Sequence, residues 1–263
     1  MDVNKTEYYF DSKMKIFFIE FGKVLNFLGI TIKQYFTKPY EWKEFYYQSF
    51  VIGNKTFIII GVTSFILGLV LSVQLIPVLN DFGAIAWMPK IISLSIIKEI
   101  GPVITGLICA GKVGSSIGAE LGSMRVTEQI DAMDVSGTNP MKYLVSTRVL
   151  AATLMLPVLV IYADALSLFG AYIAMNMNEN VSFFLFFSNA FEALSFTDIV
   201  PAIIKTFAFG MAIGVIACYK GYYAEKGTSG VGKAANSAVV VASLAIFIID
   251  MLAVQINQLI INL

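Results

Sequence analysis

Five ionisable side chains stand inside runs that are otherwise apolar: Lys98, Glu99, Asp164, Lys205 and Asp250. In hydrocarbon a lone charge costs about 3 kcal/mol or more unless it is paired or wet, so such groups mark a built polar feature. Lysines interleaved with carboxylates suit ion pairs around a cavity. They suit a proton relay poorly, because the chain has no histidine, the side chain that most often shuttles protons and binds metals. No catalytic or metal-ligating set is expected.

A second constellation runs from Lys112 to Asp134. Gly111, Gly114, Gly118 and Gly122 recur at near-helical spacing, and such a smooth face lets another helix approach closely. The stretch 119–134 then carries Glu120, Arg125, Glu128, Asp131 and Asp134, with Leu121, Met124, Val126, Ile130 and Met133 as its apolar contacts. Pro140 ends the unit. A bilayer protein needs no acidic helix in a short loop merely to sit in its membrane. The helix is predicted to dock a soluble partner.

Two stretches imitate a phosphate-binding loop, Gly106–Lys112 and Gly227–Lys233. Each fits GxxxxGK but continues with Val113 or Ala234, so neither has the hydroxyl that would hold Mg²⁺, and neither follows a strand pattern. They read as helix packing and a flexible turn.

The elements that must position these groups follow from composition. Of 263 residues, 57% are hydrophobic and 14% charged, against about 25% charged in soluble domains. Net charge is zero, which gives no support to nucleic-acid binding. Apolar runs over 56–79, 91–111, 149–175, 199–219 and 237–261 predict five membrane-spanning helices. Residues 13–36, punctuated by Lys13, Lys15, Glu20, Lys23 and Lys33, predict an amphipathic helix lying in the membrane interface. Pro39, Trp42, Tyr46 and Tyr47 form an aromatic belt before the first span. The phenylalanine-rich stretch 181–191 is too short to cross. Cys109 and Cys218 lie inside apolar runs and read as reduced core residues. No cleavable signal peptide is expected, since the first 15 residues are charged and no small-residue cleavage site follows.

Lysine and arginine concentrate before the first run, in the loop with Lys112, Arg125, Lys142 and Arg148, and in the loop with Lys220, Lys226 and Lys233. The positive-inside rule therefore places the N-terminus in the cytoplasm and the C-terminus outside. On this placement the five buried charges lie between the midplane and the outer surface, Lys98 and Glu99 about 10 Å from the outer end of the second run. They predict a polar network lining an outward-facing cavity, with Lys205 paired to Glu99 or Asp250. Pro77, Pro89 and Pro102 would allow kinks near its mouth.

Several stretches carry a family resemblance: Lys98-Glu-Ile-Gly-Pro-Val-Ile, the run from Ala110 to Met133, Asn139-Pro140, Cys218 to Tyr223, and Gly230-Val-Gly-Lys-Ala-Ala-Asn-Ser-Ala-Val-Val. Together they resemble the MlaE/YrbE family of ABC-transporter permeases, over about residues 40–263. The resemblance implies an all-α polytopic protein with an N-terminal interfacial region (1–48) and a permease domain (49–263) whose coupling helix lies at about 119–134. It implies a homodimer that docks cytoplasmic ATPase subunits, often a small STAS-domain protein, and a periplasmic ring of MCE-domain proteins. It implies movement of phospholipid between the inner membrane and the outer envelope of a diderm bacterium, which maintains outer-membrane lipid asymmetry. ATP and Mg²⁺ would belong to the partner ATPase, with no cofactor in this chain. Glu99, Lys205 and Asp250 would line the cavity. The sequence departs from the family pattern at Lys112, often arginine, at Val126, often alanine, at Asn139, usually aspartate, and at 225–229, which lacks paired glycines. The competing readings are an ion-coupled secondary carrier, a permease for sterol- or fatty-acid-like lipids, and a structural scaffold of the envelope. The acidic loop helix favours the ABC reading over a carrier or a scaffold.

Overall fold

The computed structural model describes the backbone of residues 3–38 and 40–261 and the side chains of 15, 18–38 and 40–259. Pro39 and the side chain of Lys13, both assigned above to the membrane interface, lie outside the described residues.

Among the described residues every regular element is helical. Helix α1 (Val3–Tyr35) precedes α2 (Trp42–Asp81), the first of five helices long and apolar enough to cross a membrane. The second, Ile85–Val126, is composite. It contains a 3₁₀ turn (Ile85–Trp87), α3 (Met88–Ser95), a π-helical turn (Ile96–Ile100), α4 (Gly101–Cys109), a second π turn (Ala110–Gly114) and α5 (Ser115–Val126). The short α6 (Gln129–Val135) follows. A third π turn (Met141–Ser146) leads into α7 (Thr147–Asn178), then come α8 (Phe183–Glu192), α9 (Phe196–Tyr222) and α10 (Thr228–Ile261). The spans run beyond the apolar cores read from sequence. At 40 residues α2 is about 60 Å long, twice a hydrocarbon core, so its ends project from it.

Helix α1 crosses the bundle at the end that carries α5 and α6. Phe27 and Thr31 are buried there, and Phe27 meets Tyr219 edge-on at 5.5 Å between ring centres. Lys220 reaches Glu20 at 3.0 Å. Phe18, Phe21 and Leu25 stay exposed, the apolar side of an amphipathic helix. At the opposite end α8 packs on α3, with Phe186 fully buried and the Ser93 hydroxyl donating to the Ala190 carbonyl at 2.8 Å.

The first π turn has a local cause. Pro102 has no N–H, so the Lys98 carbonyl has no partner four residues on, and the ring crowds it. The Gly101 N–H instead reaches back five residues to the Ile96 carbonyl. The kink expected at Pro102 thus takes the form of a widened turn that carries Lys98 and Glu99.

Small residues set the tightest helix contact, between α2 and α7. A Cβ on Gly68 would overlap the Ser167 carbonyl, and one on Gly170 would overlap the Phe65 carbonyl. Ser167 Oγ donates to the Ser64 carbonyl at 2.9 Å, and Phe57 stacks on Tyr162 at 4.0 Å. Close backbone approach of this kind substitutes for the hydrophobic drive that helices lack in lipid. Neither Gly68 nor Gly170 belongs to the four glycines singled out from sequence. Of those four, Gly118 and Gly122 pack on α10, where their Cβ positions lie 3.2 Å from Ala238 Cβ and 3.5 Å from the Val231 Cα. Gly114 makes ordinary contact with Ile213. Gly111 faces open space, with nothing within 4 Å among the described residues, so no other helix of the chain packs on it.

Gly68→Ala is expected to destabilise the bundle by about 1–3 kcal/mol through overpacking. Gly29→Ala, in α1 with no atom within 4 Å of the added methyl, should stabilise by about 0.5–1 kcal/mol. Thermal unfolding of the two variants in detergent, followed by tryptophan fluorescence, checks the opposite signs.

Candidate functional site

Helices α9, α10 and the π turn of the second span bring three of the five charges read within the apolar runs into one contact. Lys205 is 5% exposed, and its ammonium donates to Glu99 at 2.7 Å and to Asp250 at 2.8 Å. The two acceptors lie 106 residues back and 45 residues on from the lysine. One buried cation is therefore shared by two carboxylates, one half-exposed and one mostly buried. Both reach the same ammonium because α9 packs against both other elements. The surplus negative charge lets Glu99 face outward while Asp250 holds Lys205.

Lys98 lies beside this group but does not join it. Its ammonium donates to Asp198 at 2.7 Å. Asp198 was not among the residues read as functional. It sits in the first turn of α9, where it accepts from the Ser195 backbone N–H at 3.2 Å and its side-chain hydroxyl at 2.6 Å. The Ser-x-x-Asp spacing before an apolar run was the signal available in the sequence. Lys98, Glu99, Asp198 and Lys205 line one shallow pocket with Pro201, Val254 and Asn257, in the half of the bundle nearer α8.

Asp164, expected in the same network, stands apart. One of its carboxyl oxygens is buried without a hydrogen-bond partner among the described residues and lies where a Cβ on Gly101 would be. Only a glycine at 101 leaves room for it.

A second charged centre lies at the other end of the bundle. The Arg148 guanidinium is almost wholly buried, donating to Glu120 at 2.7 Å and to the Leu144 carbonyl at 2.9 Å. Glu120 was grouped above with the acidic residues offered to a partner. Its half-exposed carboxylate also fastens α5 to the start of α7. Arg125, Glu128, Asp131 and Asp134 remain on the projecting segment.

The single helix expected over 119–134 is broken. α5 stops at Val126, and Glu128 adopts a left-handed conformation (φ 58°) before α6 begins. Such a conformation costs a non-glycine residue about 1 kcal/mol or more and persists only where its surroundings fix it. Two contacts do so. Arg125 forms an ion pair with Asp131 across the break, and Ile130 is completely buried. The exposed surface is therefore a bent acidic elbow. The two phosphate-loop imitations are helical: Gly106–Lys112 lies in α4 and the second π turn, and Gly227–Lys233 enters α10. Cys109 and Cys218 are both free and buried, as expected.

Removing one partner of a buried ion pair strands the other charge, so Lys205→Met should destabilise by about 3–5 kcal/mol. Asp198→Asn, which frees the partly exposed Lys98, should cost about 1 kcal/mol or less. Unfolding midpoints of the purified variants, measured side by side, test the difference.

The profile of the family described as Permease MlaE matches residues 45–256. A probable ABC transporter permease of Rickettsia typhi is 38% identical over 208 residues, 79% of this chain and 80% of its own. One from Synechocystis is 33% identical over 76% of each chain. The chloroplast protein TRIGALACTOSYLDIACYLGLYCEROL 1 of Arabidopsis thaliana is 33% identical over 80% of this chain and 60% of its own. With its five long apolar helices and a match over most of its length, this chain belongs to the MlaE family of ABC-transporter permeases.

Proposed function

We propose that this chain is the permease subunit of an ABC transporter that moves phospholipids between the inner membrane and the outer envelope of a diderm bacterium. A separate ATPase would power it. The observation that carries the reading is the Lys205 group, a polar centre held between apolar helices with one carboxylate turned outward. Such a site suits a ligand with a polar head and apolar chains. Family membership supports it, and so does a relative whose name carries a galactosylated diacylglycerol lipid.

In this reading α1 lies in the interface and the α5–α6 elbow faces the cytoplasm with the N-terminus. The C-terminus is periplasmic. Two copies form a homodimer through α10, whose Val240, Leu244, Phe247 and Met251 present an exposed apolar face. The elbow inserts into the ATPase, with a STAS-domain protein as a further partner. A periplasmic MCE ring contacts the α8 side. ATP-driven closure of the ATPase pair pushes the two elbows together. The Glu120–Arg148 pair carries that displacement into α7, and the cavity between protomers narrows around the lipid.

Mild-detergent purification of the tagged chain, with mass spectrometry of co-purifying proteins and lipids, tests this function. An ATPase, an MCE protein and phospholipid together are expected. Recovery without an ATPase in several mild detergents would instead favour an ion-coupled carrier. Glu128→Ala with Asp134→Ala, both exposed, should lower ATPase recovery about tenfold or more, as loss of interface anchors does, while the unfolding midpoint stays near wild type. Undiminished recovery would refute the role given to the elbow.

A further inference from the structure

The cleft between α2 and the α5 end of the second span holds two cations with no counter-charge of their own. Lys55 from α2 and Lys112 from the second π turn line it, and both are exposed. Neither has a hydrogen bond or ion pair among the described residues. Lys43, in the first turn of α2, is likewise free. Every other cation of the five long helices is answered by a carboxylate or, for Lys142, by the Thr37 carbonyl. Glu120 borders the same cleft, but buried Arg148 already holds its charge. The cleft thus carries two uncompensated positive charges.

Its depth is set by the surfaces around it. Beyond Lys55 the exposed side of α2 turns continuously apolar, through Ile58, Val62, Ile66 and Val70. Lys55 is also about 12 Å along the helix from Tyr47, in the aromatic stretch that opens α2. Both lysines stand where a lipid-facing surface changes from polar to apolar, the level of a phosphate head group. A free ammonium there draws an anionic lipid with roughly 1 kcal/mol per charge. The open space beside Gly111 and the widened π turn give room next to Lys112. The Ser116 hydroxyl, on the same cleft, is a further donor.

We propose that this cleft binds the phosphate of an anionic membrane lipid, held by Lys55, Lys112 and Ser116, in the leaflet on the α5–α6 side. The site is separate from the Lys205 group and lies at the opposite end of the bundle. It deepens the lipid-permease reading by naming the charge class of a lipid met on that side. It rests on that reading only for the chain being embedded in lipid.

Native mass spectrometry of the full chain tests it, with phosphatidylglycerol and phosphatidylcholine of equal chain length added in turn. The wild type should retain phosphatidylglycerol over phosphatidylcholine, and Lys55→Gln with Lys112→Gln should reduce that retention about tenfold or more. Lys43→Gln, and Lys55→Arg with Lys112→Arg, should retain it. Equal retention in the double glutamine variant, or no preference in the wild type, would overturn the proposal. Displacement of the lipid by millimolar inorganic phosphate alone would make the cleft a site for free phosphate and also overturn it. A photoactivatable phosphatidylglycerol on the wild-type chain covers the case of a variant that does not fold. Label is expected within 48–56 and 112–120, and label confined elsewhere defeats the assignment. These readouts need neither ATPase nor transport, so their failure is distinct from failure of the permease reading.

Discussion

A lysine ammonium removed from water needs a negative partner on each side it can reach, and Lys205 finds one on each of two other elements. The Glu99–Lys205–Asp250 contact therefore ties the second span, α9 and α10 at one depth. Parting any two of the three elements would leave a charge in hydrocarbon. The π turn at Ile96–Ile100, set locally by Pro102, serves that contact by presenting Lys98 and Glu99 from consecutive positions to two different partners, Asp198 and Lys205.

The rest of the bundle is held by proximity. α2 meets α7 through glycine and serine backbones, and α5 meets α10 through Gly118 and Gly122. Dispersion between backbones at such distances is sensitive to a single methyl group. Charge sets the depth of the helices at one end, and small residues set their spacing elsewhere.

The α5–α6 elbow joins these two regimes. Its left-handed residue, Glu128, is not a glycine, so the bend is maintained by what surrounds it: Ile130 in the core and Arg125 on Asp131. Behind it, Glu120 and the buried Arg148 connect α5 to α7. The elbow is thus braced against packed helices.

Five spans, the short α8 and the buried cysteines were legible in the sequence, because about 20 apolar residues are needed to cross a bilayer and each run reports that demand by itself. The family was legible too, from Lys98-Glu-Ile-Gly-Pro and the run from Ala110 to Met133. The pairing of charges was legible only at Lys205, expected on Glu99 or Asp250 and found on both. Lys98 found Asp198, a capping residue 100 positions away, and Asp164 was left against Gly101. Helical periodicity assigns a residue to a face of its own helix but says nothing of which distant helix that face will meet. The break at Glu128 and the open side of Gly111 have the same origin. A glycine at helical spacing packs only if a neighbour arrives, and a helix-compatible acidic stretch stays straight only if no buried contact bends it. Apolar length and charge placement were the sequence's to determine, since each is a property of one segment facing its solvent. Which charges meet and which glycines touch were decided by tertiary structure, since both depend on the simultaneous positions of segments far apart in the chain.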